Sequence, residues 1–295
     1  MIKFLRDVLL FSSLALFATV GIITLLNYLV ETDHFYKIDD TIKYIVVGDS
    51  HPECAYNDSV IDDFMNVAQS AESYFYTYIK TKKILANNPN IETVFIEFNN
   101  GQLRKGIDNS TWDDRHLILK FPKYGIAMDW RDYSLLAKNN PSGLFAAQSL
   151  TIKNNFTYLA NENRTMNTYE WGAYQRLTNN GAKRLKEFEN VEVILDTTRT
   201  EYSKTNVHYL LKTIDVCKEF DVEVVLIRSP VHEKYMGRVN EITFRHIQKR
   251  YLKGIEFLDY WNYSLEDTQF ADLHHLNNRG ALQFSLYFNE ELSRR

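Results

Sequence analysis

Four short runs constrain this chain more than anything else in it: YIVV at 44–47, TVFIEF at 93–98, VEVVLI at 222–227 and IEFLDY at 255–260. Each is largely apolar at successive positions and rich in β-branched or aromatic residues. A strand with no polar face has nothing to turn to water, so it must be buried on both sides, as in parallel sheets covered by helices. Segments of helical period lie between the runs, at 72–88, 206–220 and 241–252, and the chain closes on another, GALQFSLYFNEELSRR. Ser70 or Ser73 stands where the first of these needs a cap, and lysines in its later turns suit the negative end of a helix dipole. Strand alternating with helix predicts an α/β fold, a three-layer α/β/α arrangement with a mostly parallel sheet. FMNVA at 64–68 reads as one more short strand. Residues from about 101 to 190 break the alternation and carry Trp112, Trp130 and Trp171. They are expected to form an insertion lying over the sheet edge.

The first thirty residues obey a different rule. Positions 8–30 hold no charged residue. As a helix rising about 1.5 Å per residue they reach roughly 34 Å, enough to cross a hydrocarbon core of about 30 Å. A secretory signal would have a shorter apolar run and a small-residue cleavage site. Lys3 and Arg6 precede the run and Glu31 and Asp33 follow it. The positive-inside rule then places a short stub in the cytoplasm, with residues 1–31 as stub and single-pass anchor in the lipid bilayer and residues 32–295 as an extracytoplasmic domain. A net charge of -4 leaves no basic surplus to neutralise phosphates, which argues against a nucleic-acid partner. Cys54 and Cys217 lack any metal-binding spacing and read as small buried side chains.

Open parallel sheets bind ligands beyond the carboxyl ends of their strands, and here those ends carry reactive groups. The first run stops on Gly48-Asp49-Ser50-His51, the second on Asn99-Asn100-Gly101 and the third on Ser229-Pro230-Val231-His232; the last is followed, after a loop, by Asp272-Leu273-His274-His275-Leu276. A serine becomes a nucleophile when a base takes its proton and donors hold the oxyanion that forms. Ser50 sits at a tight strand-to-helix turn. Asp272 and His275, three positions apart, can share one turn, so that the carboxylate orients one imidazole nitrogen and leaves the other for Ser50. Asn100 or Asn99 can aim a side-chain N–H at the oxyanion, while His51, Asn99 and His232 are candidate substrate contacts.

These blocks resemble the SGNH, or GDSL-type, hydrolases: Gly48-Asp49-Ser50 the first, Asp272-x-x-His275-Leu276 the last, and FNNG at 98–101 loosely the asparagine block. The resemblance implies a flavodoxin-like α/β/α fold, with Ser50 as nucleophile, His275 as general base and Asp272 as its orienter. It further implies oxyanion donors in the Ser50 backbone N–H and Asn100, and no cofactor or metal. The family's second block supplies a glycine N–H; the comparable stretch NVAQSAES at 66–73 has no glycine, which leaves Ser70 or Ala71 to donate. His51, together with the N-terminal anchor, is similar to membrane-tethered members that move acyl groups onto cell-envelope polymers, such as the D-alanine transfer and alginate-acetylation proteins. Those implied partners are a carbohydrate polymer and a multi-spanning membrane acyltransferase. Two other readings stand beside this one. Asp49-x-His51 with Asp272, His274 and His275 is the kind of set a metal-dependent phosphoesterase uses, and an anchored domain with a decayed site would only bind glycan or a partner. Individually, Asp49-Ser50 is also an ordinary helix cap and Asn99-Asn100-Gly101 an ordinary turn.

Overall fold

All four apolar runs form strands, and a fifth joins them. In the computed structural model, which describes residues 1–31, 36–161, 171–179, 181, 201–235 and 240–295, these are β1 (Tyr44–Val47), β2 (Phe64–Asn66), β3 (Thr93–Glu97), β4 (Glu223–Arg228) and β5 (Glu256–Asp259). They make one all-parallel sheet in the order β2-β1-β3-β4-β5. The chain runs outward from β1 to β2 and then crosses back to β3. The order therefore reverses at β1/β3, where neighbouring connections leave in opposite directions and open a crevice at the strand ends.

Alternation explains why the runs needed no polar face. Val46, Phe95, Val225 and Ile227 lie in one buried cluster with Phe284 and Phe288 of the closing helix, Asn278–Leu292. Their neighbours Ile45, Val47, Val94, Ile96 and Leu226, pointing the other way, are buried as completely. Phe288 meets Tyr56 and Phe95 edge-on, with centroids 5.0 and 5.3 Å apart. Each such buried phenyl is worth about 2–3 kcal/mol in removed apolar surface.

The helices are α1 (Ile2–Glu31), α2 (Ser50–Ala55), α3 (Tyr74–Asn87), α4 (Asn100–Leu103), α5 (Ile107–Trp112), α6 (Asp114–Tyr124), α7 (Trp130–Asn139), α8 (Pro141–Ala160), α9 (Lys204–Glu219), α10 (Glu241–Tyr251) and α11 (Asn278–Leu292). Cys54 in α2 and Cys217 in α9 are free and buried. Two sequence readings change. Ser73 does occupy the cap position of α3, but its side chain makes no cap hydrogen bond and the last turn holds no basic residue. Lys80, which looked like a dipole partner, is instead fully buried at mid-helix. The second change concerns the insertion. The chain divides into two compact units, Lys37–Trp112 with Trp171–Arg295 and Met1–Tyr36 with Asp113–Glu170. Residues 101–112 and 171–179 thus belong with the sheet, and the intervening helices α6 to α8 belong with α1. Residues 182–190 of the expected insertion lie outside the described residues.

The helix α1 is long and apolar enough to span a membrane, with a mean hydropathy of 2.3 over its best window.

Gly48, directly after β1, sets the turn that ends the strand. Its φ is +148°, and a Cβ built there would stand 2.5 Å from Cβ of Glu97. Gly48→Ala therefore meets both a disfavoured backbone angle and a neighbour on a central strand that cannot give way. It is expected to destabilise the protein by about 2–3 kcal/mol, read as a fall in melting temperature of roughly 5–10 °C.

Candidate active site

The turn after β1 delivers Ser50. Asp49 caps α2 by accepting from the His51 N–H at 3.0 Å, which places Ser50 at the first helical position with its hydroxyl only part-buried. Ser50 Oγ lies 2.8 Å from Nε2 of His275. On the other side of that ring, Nδ1 is 3.0 Å from both Asp272 carboxylate oxygens. A neutral imidazole has one donor and one acceptor, so with Nδ1–H donating to Asp272, Nε2 is the acceptor for the serine hydroxyl. Asp272 Oδ1 also accepts from the backbone N–H groups of His274 and His275, at 2.7 and 3.0 Å. These bonds fold the residues into one turn, as the three-residue spacing predicted. Half-burial works against the Asp272 charge, yet the hydrogen bond and charge of His275 bring its pKa down to about 2.

The loop that carries Asp272 and His275 is held from several sides. Backbone bonds run from Ala271 N–H to His275 O (2.9 Å) and from Gly181 N–H to Phe270 O (2.8 Å). Asn277 donates to Thr268 O at 2.7 Å. His232, expected as a substrate contact, is one of these supports. It is buried, its N–H donates to Leu273 O, its Nε2 meets Asp267 at 3.1 Å, and its ring stands edge-on to Phe270. Both ring nitrogens are used, since Nδ1 accepts from Lys234 N–H. His232 positions the loop and does not face a ligand.

Beside the triad lies a second carboxylate–imidazole pair. Asp49 Oδ1 is 2.9 Å from His51 Nδ1, and Asp49 Oδ2 accepts from Asn99 and Gln102 at 3.0 and 2.9 Å. Asn99 also donates to Glu97 at 3.1 Å, and Glu97 accepts from the N–H and hydroxyl of Ser229, the latter at 2.6 Å. Asn99 is thus a buried strut and not a substrate contact. Burial opposes charge on Asp49, but the His51 imidazolium and the amide donors hold its pKa well below the carboxylate range. Burial likewise opposes the His51 charge, and Asp49, with help from Glu97, holds its pKa above the usual value. Glu97 goes the other way, raised to about 7 by burial and by the Asp49 charge. The Nε2 of His51 is buried without a hydrogen-bond partner, and its ring centroid is 5.8 Å from those of His275 and Tyr235 and 6.2 Å from that of His274. His274 is exposed and stacks on His275. Desolvation, and then the neighbouring His51 charge, push its pKa down to about 4.

The expected oxyanion donors fare unequally. Ser50 offers its N–H from the first turn of α2. Ala71 has φ +56°, a left-handed backbone that glycine ordinarily supplies, in a loop whose Gln69 N–H bonds Gly48 O at 3.0 Å. Position 71 therefore has a glycine-like backbone without a glycine. Lys80 anchors this loop. Its ammonium, fully buried, reaches Glu72 at 2.8 Å, the Val67 carbonyl, and Trp171 O at 3.1 Å. Ser70, the other residue considered, gives its hydroxyl to Glu53. Asn100 does not join the site. It donates to Glu241 at 3.1 Å and accepts from Arg228, a buried guanidinium that needs both acceptors. Asn99 is the extended cap residue and Asn100 the first helical one, so their side chains diverge. Sequence reasoning passed over Gln102 and Glu97, gave Ser229 only as part of a strand-end group and read Lys80 only as a dipole partner; of these, Glu97, a carboxylate inside an apolar run, carried a visible signal.

Among the described residues no three of His, Cys, Asp and Glu come together as a metal-binding group. Asp49 and His51 form one pair and Asp272 and His275 another. A model of an uncharacterised family matches residues 153–295, a stretch that contains Asp272 and His275 and leaves Ser50 outside it. No curated protein matches the chain.

Glu97 and His51 together fix a pH dependence. Folded Glu97 keeps its proton up to about pH 7, whereas an unfolded glutamate releases it near 4.5. Folding therefore becomes less favourable as pH rises across that window. The His51–Asp49 bond acts in the same direction, being present below the unfolded histidine pKa and lost as pH rises through the raised folded value. Residues 1–295 in detergent are expected to be less stable at pH 8 than at pH 5.5. Glu97→Gln should remove up to about 3 kcal/mol of that difference, measured as the change in melting temperature between the two pH values in wild type and variant.

Proposed function

We propose that the sheet unit is a serine-dependent O-acyl esterase or acyltransferase of the SGNH type, tethered by α1 and acting outside the cytoplasm on a cell-surface carbohydrate polymer, with acetyl as the transferred group. One observation carries this reading: Ser50 Oγ, His275 Nε2 and Nδ1, and the Asp272 carboxylate stand in line at 2.8 and 3.0 Å, although the serine and histidine are 225 residues apart. The parallel sheet with its reversal at β1/β3 supports the three-layer flavodoxin-like arrangement that the SGNH resemblance implies, because Ser50 leaves the sheet at that reversal.

The steps follow from the geometry. Ser50 Oγ attacks the acyl carbonyl carbon as His275 Nε2 takes the hydroxyl proton, and Asp272 stabilises the imidazolium that results. Collapse of the tetrahedral intermediate expels the alcohol, which receives that proton, and leaves an acyl-serine. Water or a sugar hydroxyl then attacks, His275 again accepting the proton, and Ser50 leaves as the restored hydroxyl. With water the protein is an esterase. With a sugar hydroxyl it is a transferase, and a multi-spanning membrane acyltransferase is the fitting donor partner. These residues complete the sequence without a metal or cofactor. The negative charge on the carbonyl oxygen falls to the N–H groups of Ser50 and Ala71. It also falls to His51, whose charged, unpartnered Nε2–H takes the part that Asn100 cannot fill.

Residues 1–295 in detergent are expected to hydrolyse an activated acetyl ester and to bind a serine-directed phosphonate covalently. Ser50→Ala should abolish labelling and lower kcat by at least about 10³-fold; full activity in that variant would end the proposal. His51→Gln is expected to lower kcat by about 10²-fold with KM little changed, and to slow phosphonate labelling without preventing it. An unaltered rate would remove His51 from the mechanism.

A further inference from the structure

The closing helix α11 buries one face and leaves the other bare. Phe284 and Phe288 pack on the sheet, while Arg279, Leu282, Gln283, Leu286, Tyr287 and Glu290 are exposed along the opposite side. The outer face of a helix packed on a sheet is ordinarily polar. Here Leu282, Leu286 and Tyr287 are 43, 49 and 43% exposed, and in the described part of the sheet unit Phe220 and Ile242 are the other large apolar side chains so exposed. Three such side chains on one helix face form a patch, where single ones would need no explanation. The patch is also ordered in advance. Tyr287 is braced by Tyr263, with ring centroids 5.0 Å apart, and Gln283 accepts from Gln269 at 2.6 Å, so a partner meeting them loses little to side-chain ordering.

The charges at its two ends decide what covers it. Arg279 begins the face and Glu290 closes it, about 16 Å further along the helix, too far to pair within one chain. Glu290 lies 3.7 Å from Arg294 in a pair open to solvent, which holds it weakly. A second α11 laid antiparallel, with a two-fold axis between positions 284 and 285, sets Arg279 against Glu290, Leu282 against Tyr287 and Gln283 against Leu286, each contact occurring twice. Mirror spacing belongs to any helix face. The chemistry that fills it here does not, since opposite charges meet at both rims and apolar side chains meet in the middle. A parallel pairing would set arginine on arginine and glutamate on glutamate, so the same charges select one register against the other. One 15-residue helix per copy falls short of the roughly 800 Å² a side of a standard interface, which makes the association weak and dependent on concentration.

We infer that the bare face of α11 is a dimer interface, across which two copies of this chain pair antiparallel through Arg279 and Glu290 around Leu282, Leu286 and Tyr287. The inference is independent of the acyl chemistry proposed for Ser50. Residues 1–295 in mild detergent are followed by sedimentation velocity over about a hundredfold range of concentration. The expected result is a monomer–dimer equilibrium that Leu286→Glu weakens at least roughly tenfold and Arg279→Glu at least roughly fivefold, while adding Glu290→Arg to Arg279→Glu restores the dissociation constant to within about threefold of wild type. The melting temperature of each variant reports its fold separately. Register is read with a short bismaleimide, which is expected to join Arg279→Cys chains to Glu290→Cys chains when the two are mixed and to join neither to itself; Cys54 and Cys217 are buried and stay unreacted. Protein that remains monomeric over the whole range would overturn the inference. So would a dimer that Leu286→Glu leaves unchanged, which would place the contact on another surface, or Arg279→Cys chains that join to each other in preference to the mixed pair.

Discussion

Glu97 ties together the C-terminal ends of the three central strands, and the site depends on it. Its Cβ occupies the space that a side chain at position 48 would need, so β1 must end on glycine. Its carboxylate takes the N–H and hydroxyl of Ser229 at the end of β4 and the amide of Asn99 just past β3. Asn99 then holds Asp49, and Asp49 both caps α2 and orients His51. A buried carboxylate is costly unless every lone pair is met. Here the donors that meet it come from the segments whose relative positions matter. The price of that arrangement is a carboxyl that titrates near neutrality.

Two carboxylate–imidazole pairs of the same composition stand side by side, and burial separates their roles. The Asp272–His275 pair is part-buried, and its free nitrogen already has a partner in Ser50, which suits a group that must accept and return a proton. The Asp49–His51 pair is nearly sealed from solvent. With Asp49 held anionic, its carboxylate raises the His51 pKa and favours the protonated ring, which is a poor proton acceptor and a good hydrogen-bond donor.

How much of this was legible in the sequence follows the range of each interaction. The strands were visible because burial on both faces leaves an unbroken apolar run, and even the three-residue β2 showed in FMN. Ser50, Asp272 and His275 were visible because hydroxyl, carboxylate and imidazole are placed by local turns, and each turn is written in adjacent residues. Asn99 and Asn100 were not separable: which one faces the site depends on where an extended cap ends and α4 begins, and on Arg228, 128 residues away, claiming the second amide. Lys80 failed for a related reason. A lysine in a helix reads as solvated, and only the folded loop brings Glu72 and the carbonyls of Val67 and Trp171 around it. The grouping of α6 to α8 with α1 was hidden as well, because amphipathic helices state that they must pack and not what they pack on.

The Lys80 cluster also accounts for a left-handed backbone at position 71, where the sequence has alanine and not glycine. A non-glycine residue in the left-handed region costs about 1–2 kcal/mol, and Ala71 is exposed, so its own side chain recovers little of that by packing. The loop holds the conformation because both flanks are fixed. Val67 is bonded through its carbonyl to Lys80, Gln69 through its N–H to Gly48, and Glu72 through its carboxylate to Lys80 and Thr77. Only Ser70 and Ala71 are left to complete the turn, and left-handed geometry at Ala71 is how they do so. A buried ion pair is weak evidence for stability in general, because desolvation offsets much of its attraction. Its effect here is directional: removing either partner would strand the other charge and release the loop whose Gln69 N–H bonds Gly48 O. On this view Lys80 and Glu72 do for the chain what glycine does elsewhere, holding an amide in place by charge and hydrogen bonding where a smaller residue would have made the turn without strain.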